Sequence, residues 1–165
     1  IYYSVYADAY TVDFNTAITT SSPDFKVASN WKHIVHRYND GYFDYWMSYS
    51  YGATTGVNGS GALYAGEQRA GDNTDNEVTY DMLVTPVVSG DVTIYVKKNS
   101  NGTPFIEFWS LNETGTAKNV KLHEVKTFEA NAWVAVTYQV ATPQRIGTRA
   151  HYLYLDNFSA THAVI

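Results

Sequence analysis

The sequence contains no cysteine. Disulfides and thiolate metal sites are therefore excluded, which argues against a eukaryotic secreted scaffold. A bacterial envelope or secreted domain fits that absence, and so does a cytosolic one. Basic residues are also in short supply: 11 Lys and Arg stand against 16 Asp and Glu, a net charge of −5 with no basic run. Nucleic acid and anionic membranes are poor partners for such a surface. No apolar stretch approaches the ~20 residues needed to span a bilayer as a helix. Methionine is represented only twice, and windows rich in Leu, Ala and Glu are missing, so little in the chain favours long helices. The first residue is Ile1 rather than Met, and the expectation is a fragment or mature form, one module of a larger protein.

What the sequence has in abundance is aromatic and β-branched residues: 15 Tyr, 7 Phe and 4 Trp, with many Val and Thr. Such side chains suit pleated, half-buried surfaces. The clearest stretch is Asp81 to Lys98, DMLVTPVVSGDVTIYVKK. Val92, Ile94 and Val96 alternate with Thr93, Tyr95 and Lys97, the period-2 pattern of a strand with one wet face. Pro86 has no backbone donor, so Leu83 to Val87 reads as an edge strand or a strand end. A turn is expected at Ser89-Gly90-Asp91.

Elsewhere, residues 1 to 14 predict one or two strands. Asn15 to Asn30 reads as loop anchored by Phe25 and Val27, and Trp31 to Val35 as a short strand. Asp40-Gly41 is the strongest hairpin signal, followed by a strand to Tyr51. Further strands are expected over Ala62 to Ala65, Pro104 to Leu111, Lys118 to Val125, Ala132 to Ala141 and His151 to Ala160. Gly66 to Glu77 reads as a polar loop, and Asn99 to Gly102 as a second hairpin turn. About ten short strands separated by turn signals predict a two-sheet antiparallel β-sandwich over residues 1–165.

The same parity sorts candidate binding residues. With the aliphatic positions inward, Tyr95, Glu107, Trp109, Trp133, Tyr152 and Tyr154 face outward, interleaved with Thr137 and Gln139. Aromatic rings stack on the apolar C–H faces of sugars while polar neighbours hydrogen-bond the hydroxyls. Packing alone also accounts for aromatics at these places. A second candidate patch comprises Trp31, Tyr42, Trp46 and Tyr49.

Signals for catalysis and metal binding are sparse. No nucleophile elbow, Walker or Rossmann glycine pattern is present, and the E-x-D-x-x-E signature of jelly-roll glucanases is missing. Glycoside hydrolysis requires two carboxylates ~5–10 Å apart, which Glu107 with Glu124 or Asp156 would have to supply across a sheet. The oxygen-rich run Asp72, Asn73, Asp75, Asn76, Glu77 lacks EF-hand spacing and reads as a solvated loop. His33, His36, His123, His151 and His162 show no zinc-site spacing. N-glycosylation triplets begin at Asn58, Asn101, Asn112 and Asn157, a pattern that arises easily in polar β-proteins.

The segments DMLVTPVVSGDVTIYVKK, GSGALYAG (Gly59 to Gly66) and YLYLDNFSAT (Tyr152 to Thr161) occur in an order that resembles the cleaved-adhesin and MAM-like group of jelly-roll modules. These are similar to jelly-roll carbohydrate-binding modules. The resemblance runs from Trp46 to the end and departs at Met82, where the family usually has Trp. It implies an all-β jelly roll working as a non-catalytic, glycan-binding module of a secreted or cell-surface protein of Bacteroidetes-type bacteria. It also implies a structural calcium held by Asp156 of the last strand and Asp13 near the first. The plainer reading is that Asp156 caps a strand and Asp13 sits in solvent. Two other functions stay open: a protein-adhesion or spacer module, and a divergent glycosidase.

Overall fold

A computed structural model describes residues 6–14, 28, 30–36, 49–52, 56–57, 61–66, 80–98 and 103–164. Eleven strands are found among them: β1 (Tyr6–Val12), β2 (Lys32–His36), β3 (Tyr49–Gly52), β4 (Ala62–Ala65), β5 (Tyr80–Val84), β6 (Val88–Lys98), β7 (Phe105–Leu111), β8 (Lys118–Val125), β9 (Val134–Gln144), β10 (Gly147–His151) and β11 (Leu153–Val164). They form two antiparallel sheets. The six-stranded sheet runs β3-β4-β11-β6-β9, with β1 also pairing β11, and the five-stranded sheet runs β2-β5-β10-β7-β8. Among the described residues there is no α-helix. The architecture is the expected all-β sandwich of jelly-roll type.

The alternation read from the sequence places the core. Val92, Ile94 and Val96 of β6, Val136, Tyr138 and Val140 of β9, and Leu153 and Leu155 of β11 pack against Leu83, Ile106, Phe108 and Ala150 of the other sheet. Tyr138 and Phe108 are in ring contact across it, with centroids 4.2 Å apart. Asp81 is buried in the same layer, 3.7 Å from His33 Nε2. Trp31, expected in a binding patch, is instead 5% exposed in this core, donating its Nε1–H to Tyr10 Oη at 3.0 Å. Phe158 packs on it edge to face.

The backbone refines the expectations at four places. Of the two readings of Leu83 to Val87 the strand end holds: Pro86 follows the end of β5, which is flanked by β2 and β10 and so is not an edge strand. No turn interrupts β6 at Ser89-Gly90-Asp91: the strand continues through a bulge, where its register against β9 shifts between Val88 and Gly90. Gly90 has φ +84°, and a Cβ there would sit 2.6 Å from Thr161 Cβ, so both conformation and space require glycine. The last strand runs past Ala160 to Val164, which places Asp156 inside it rather than at its end. Finally, β10 is a strand that the sequence concealed. Its segment carries Gly and follows Pro143, and what holds it is pairing with β5 and β7 on its two sides. The corner before it is fastened by Thr85: its backbone N–H donates to Ile146 O at 3.0 Å and its hydroxyl accepts from Ile146 N at 3.0 Å.

Candidate functional site

The outward residues expected to act together divide between the two sheets. Residues paired across antiparallel strands point to the same face. Tyr64 of β4 pairs with Tyr154 of β11, which pairs with Lys97 of β6. The next pair of β6 and β9 is Val96 with Val134, so Trp133, just ahead of β9, aligns with Lys97. One row of Tyr64, Tyr154, Lys97 and Trp133 therefore crosses the outer face of the six-stranded sheet. All four are half-buried. The Tyr64 and Tyr154 rings lie 4.9 Å apart at 43°. Burial pushes the Tyr64 hydroxyl above its ordinary pKa, with neighbouring Tyr154 and Tyr152 adding to the effect, so it remains a protonated donor and acceptor. Tyr95 lies one row away, opposite Ala135, and is 37% exposed. Tyr95, Tyr154 and Trp133 are thus brought to one face. Tyr64, which parity also selects, escaped the sequence reading because β4 is only four residues long.

Glu107 and Trp109 lie elsewhere, on the five-stranded sheet. Parity placed them correctly away from the central core, but they are not solvent-facing: Glu107 is 5% and Trp109 8% exposed. Trp109 belongs to a second apolar cluster with Ile34, Met82, Val84 and Leu111. Met82, at the position where the resembled family carries Trp, packs so closely that a Cβ on Gly147 would meet its sulfur at 2.8 Å. Glu107 Oε1 accepts from Arg149 Nη1 at 2.7 Å and from Trp109 Nε1 at 3.0 Å. Lys121 Nζ is 3.6 Å from Glu107 and 3.0 Å from Glu124, and Lys118 Nζ lies 4.2 Å from the Trp109 ring centroid. Burial alone would raise the Glu107 pKa, but Arg149, Trp109 and Lys121 together outweigh it and hold the carboxyl below its ordinary range. Glu124, opposite Glu107 in register, is also lowered, chiefly by its hydrogen bond to Lys121. A glycosidic general acid needs its pKa raised, so this pair is tuned the wrong way. Asp156, the other partner considered, is on the other sheet. Arg149 was missed because β10 was.

Asp156 is fully buried beside Tyr95 on the six-stranded sheet. Its Oδ2 accepts from Val57 N at 2.8 Å and its Oδ1 from Asn157 N at 2.9 Å. Asp13 is exposed and follows Val12, whose partner is Phe158. The two carboxylates therefore belong to one end of the β1–β11 pair. Among the described residues no cluster of three or more His, Asp or Glu forms, so a cation here would need carbonyl oxygens as well, which calcium accepts.

Trp46 and Tyr42, the rest of the second patch, and the Asp72 to Glu77 loop lie outside the described residues, as does the Tyr49 side chain. A cavity of about 330 Å³ is lined by Lys32, Asn112, Thr114, Gln144 and Arg145. Its Arg145 is committed to the carbonyls of Asn30 and Thr85, at 2.8 and 3.1 Å.

These features define a jelly-roll β-sandwich that carries an aromatic row on one outer face. No protein-family model matches the sequence, and no curated protein does. Among solved structures, the chain is similar to the K1 cleaved adhesin domain of Lys-gingipain from Porphyromonas gingivalis W83. The TM-score is 0.61 at 15% identity, over 93% of this chain and 97% of that one. It is also similar to the xylan-binding domain from CBM 22, with a TM-score of 0.51 at 14% identity over 96% of each chain. At such identities the likeness is one of fold. Both are of the kind the sequence resembled.

Proposed function

We propose that this chain is a non-catalytic carbohydrate-binding module that holds glycan on the outer face of its six-stranded sheet. The observation that carries the reading is the shared face of Tyr64, Tyr154 and Tyr95, with rings in contact or open to solvent and Lys97 and Trp133 alongside. Sugar C–H faces stack on such rings, and the phenol hydroxyls, Lys97 and Thr93 supply directed hydrogen bonds. Glu107 and Trp109 take no part, because the ion pair and the apolar cluster occupy them. A structural calcium belongs to the proposal, with Asp156 and Asp13 as its carboxylates. It would tie the first strand to the last. The xylan-binding neighbour supports the glycan reading by likeness of fold. The proposed setting is one module of a larger secreted or cell-surface bacterial protein, next to other domains of that protein. Among the described residues no helix is long and apolar enough to cross a membrane.

A glycan array probed with the wild type and with Tyr154→Ala and Tyr95→Ala tests this. Each variant is expected to weaken a bound glycan by ~10-fold, about 1.4 kcal/mol. An array with no signal would sink the proposal and leave a protein-adhesion or spacer module, the reading favoured by the likeness to an adhesin domain.

A further inference from the structure

The face that carries the aromatics does not end with them. Beyond Tyr95, Thr11 of β1 pairs with Ser159 of β11, Ser159 with Thr93 of β6, and Thr93 with Thr137 of β9. Four hydroxyl side chains thus form a row across four neighbouring strands, and the Oγ1 atoms of Thr93 and Thr137 are 2.9 Å apart. Further along, Thr161 Oγ1 accepts from Asp91 N at 2.9 Å, and Gln139 Nε2 donates to Asp91 Oδ1. Thr11, Thr137, Gln139 and Thr161 are exposed.

Two properties of this face select among glycans. The first is charge. Lys97 stands at one end and Asp91 at the other, while the rows between them are neutral apart from the fully buried Asp156. A neutral polyol complements that surface, whereas a sulfated or uronate chain finds only Lys97. The second is extent. Lys97 and Thr93 are four residues apart on one strand, roughly 13–14 Å at ~3.4 Å per residue. The face is also open at its β9 border, because β9 is the last strand of the sheet's order and its outward residues Ala135, Thr137 and Gln139 are exposed. A groove grips one chain from several sides. On the β11 side Val57 N–H reaches the Asp156 carboxylate between the two rows, so the open part of the face is its β6–β9 side, where Tyr95, Ala135, Thr137 and Gln139 are exposed. That part touches a chain from one side only, and a chain lying along one row leaves the other row unused.

We infer that the ligand is the surface of an insoluble, uncharged polysaccharide, with neighbouring chains covering the aromatic row and the hydroxyl row together. The inference rests on the glycan reading and narrows it to a class of substrate. Polar side chains held in register by the sheet are pre-ordered for a repeating surface, so little entropy is lost when they bind.

The experiment compares co-sedimentation with microcrystalline cellulose, chitin, insoluble xylan and insoluble mannan against calorimetric titration with the soluble hexasaccharides of the same sugars. The wild type, Tyr95→Ala and the double variant Thr93→Val/Thr137→Val are used, each checked for native fold by circular dichroism. The expected result is retention on at least one insoluble polymer, at least 10-fold tighter than binding of its hexasaccharide. Retention should fall ~10-fold in Tyr95→Ala and at least 3-fold in the double threonine variant, with little change in raised salt. Equal or tighter binding of a hexasaccharide would overturn the inference and leave the glycan reading standing. No binding to either form would overturn both. Retention indifferent to Tyr95→Ala and to the threonine pair, or a dimer in solution that Tyr95→Ala dissolves, would also overturn it, because the face would then be idle or already occupied.

Discussion

Arg149 is 1% exposed and Glu107 5%, yet neither is on the aromatic face of the six-stranded sheet. Their 2.7 Å ion pair is a structural feature of the five-stranded sheet. Removing one partner of a buried pair typically costs ~3–5 kcal/mol, and Lys121, 3.6 Å from Glu107, compensates only part of the loss of Arg149. Arg149→Ala should lower stability by about that much in urea unfolding at neutral pH, while Arg149→Met with Glu107→Gln should recover most of it. The sign of the pH dependence follows from Glu107, whose folded pKa lies below the ordinary 4.5. The pair's contribution is complete above that ordinary value and disappears as pH falls through the lower, folded one. The deficit of Arg149→Ala should therefore shrink in acid, and a deficit that stayed constant from neutral pH down to full protonation would contradict the assignment. None of this was legible from the sequence. Glu107 was visible as an outward strand residue, but its partner lay in a stretch without alternation.

The strands themselves were largely legible wherever one side of a strand is wet. Lys118 to Val125 and Ala62 to Ala65 match their expected bounds, and the alternating cores of β6, β9 and β11 appear as read. The bulge at Gly90 was not. A glycine beside Ser and Asp signals a turn locally, and only the approach of Thr161 from β11 reveals that the chain goes straight on. Gly90→Ala must adopt φ +84° and push against Thr161, so thermal unfolding should show a loss of more than ~1 kcal/mol. Thr161→Gly in the same background should return the steric part but not the conformational part. If Gly90→Ala is as stable as the wild type, the bulge is misplaced.

At the scale of the molecule, β11 holds the six-stranded sheet together, pairing with β4, β1 and β6 along its length. Both proposed calcium carboxylates stand beside that seam, so the ion would act on global stability rather than on one loop. Unfolding in calcium 100-fold above its dissociation constant should be stabilised by ~2.7 kcal/mol relative to EDTA, and Asp156→Asn should abolish the difference. Identical unfolding curves for the wild type in calcium and EDTA would remove calcium from the proposal. The sequence by itself determined the two-sheet sandwich, its core positions and the side of each strand on which the aromatics stand. Those depend on a period of two residues, which is written locally. Only the tertiary structure decided which outward positions meet solvent. Exposure depends on what packs over a face, so Tyr95 and Trp109, alike in parity, end as an open ring and a buried one. Strand order, too, is set by pairing between distant segments, and it is strand order that gathers Tyr64, Tyr154, Tyr95 and the threonine row on one surface.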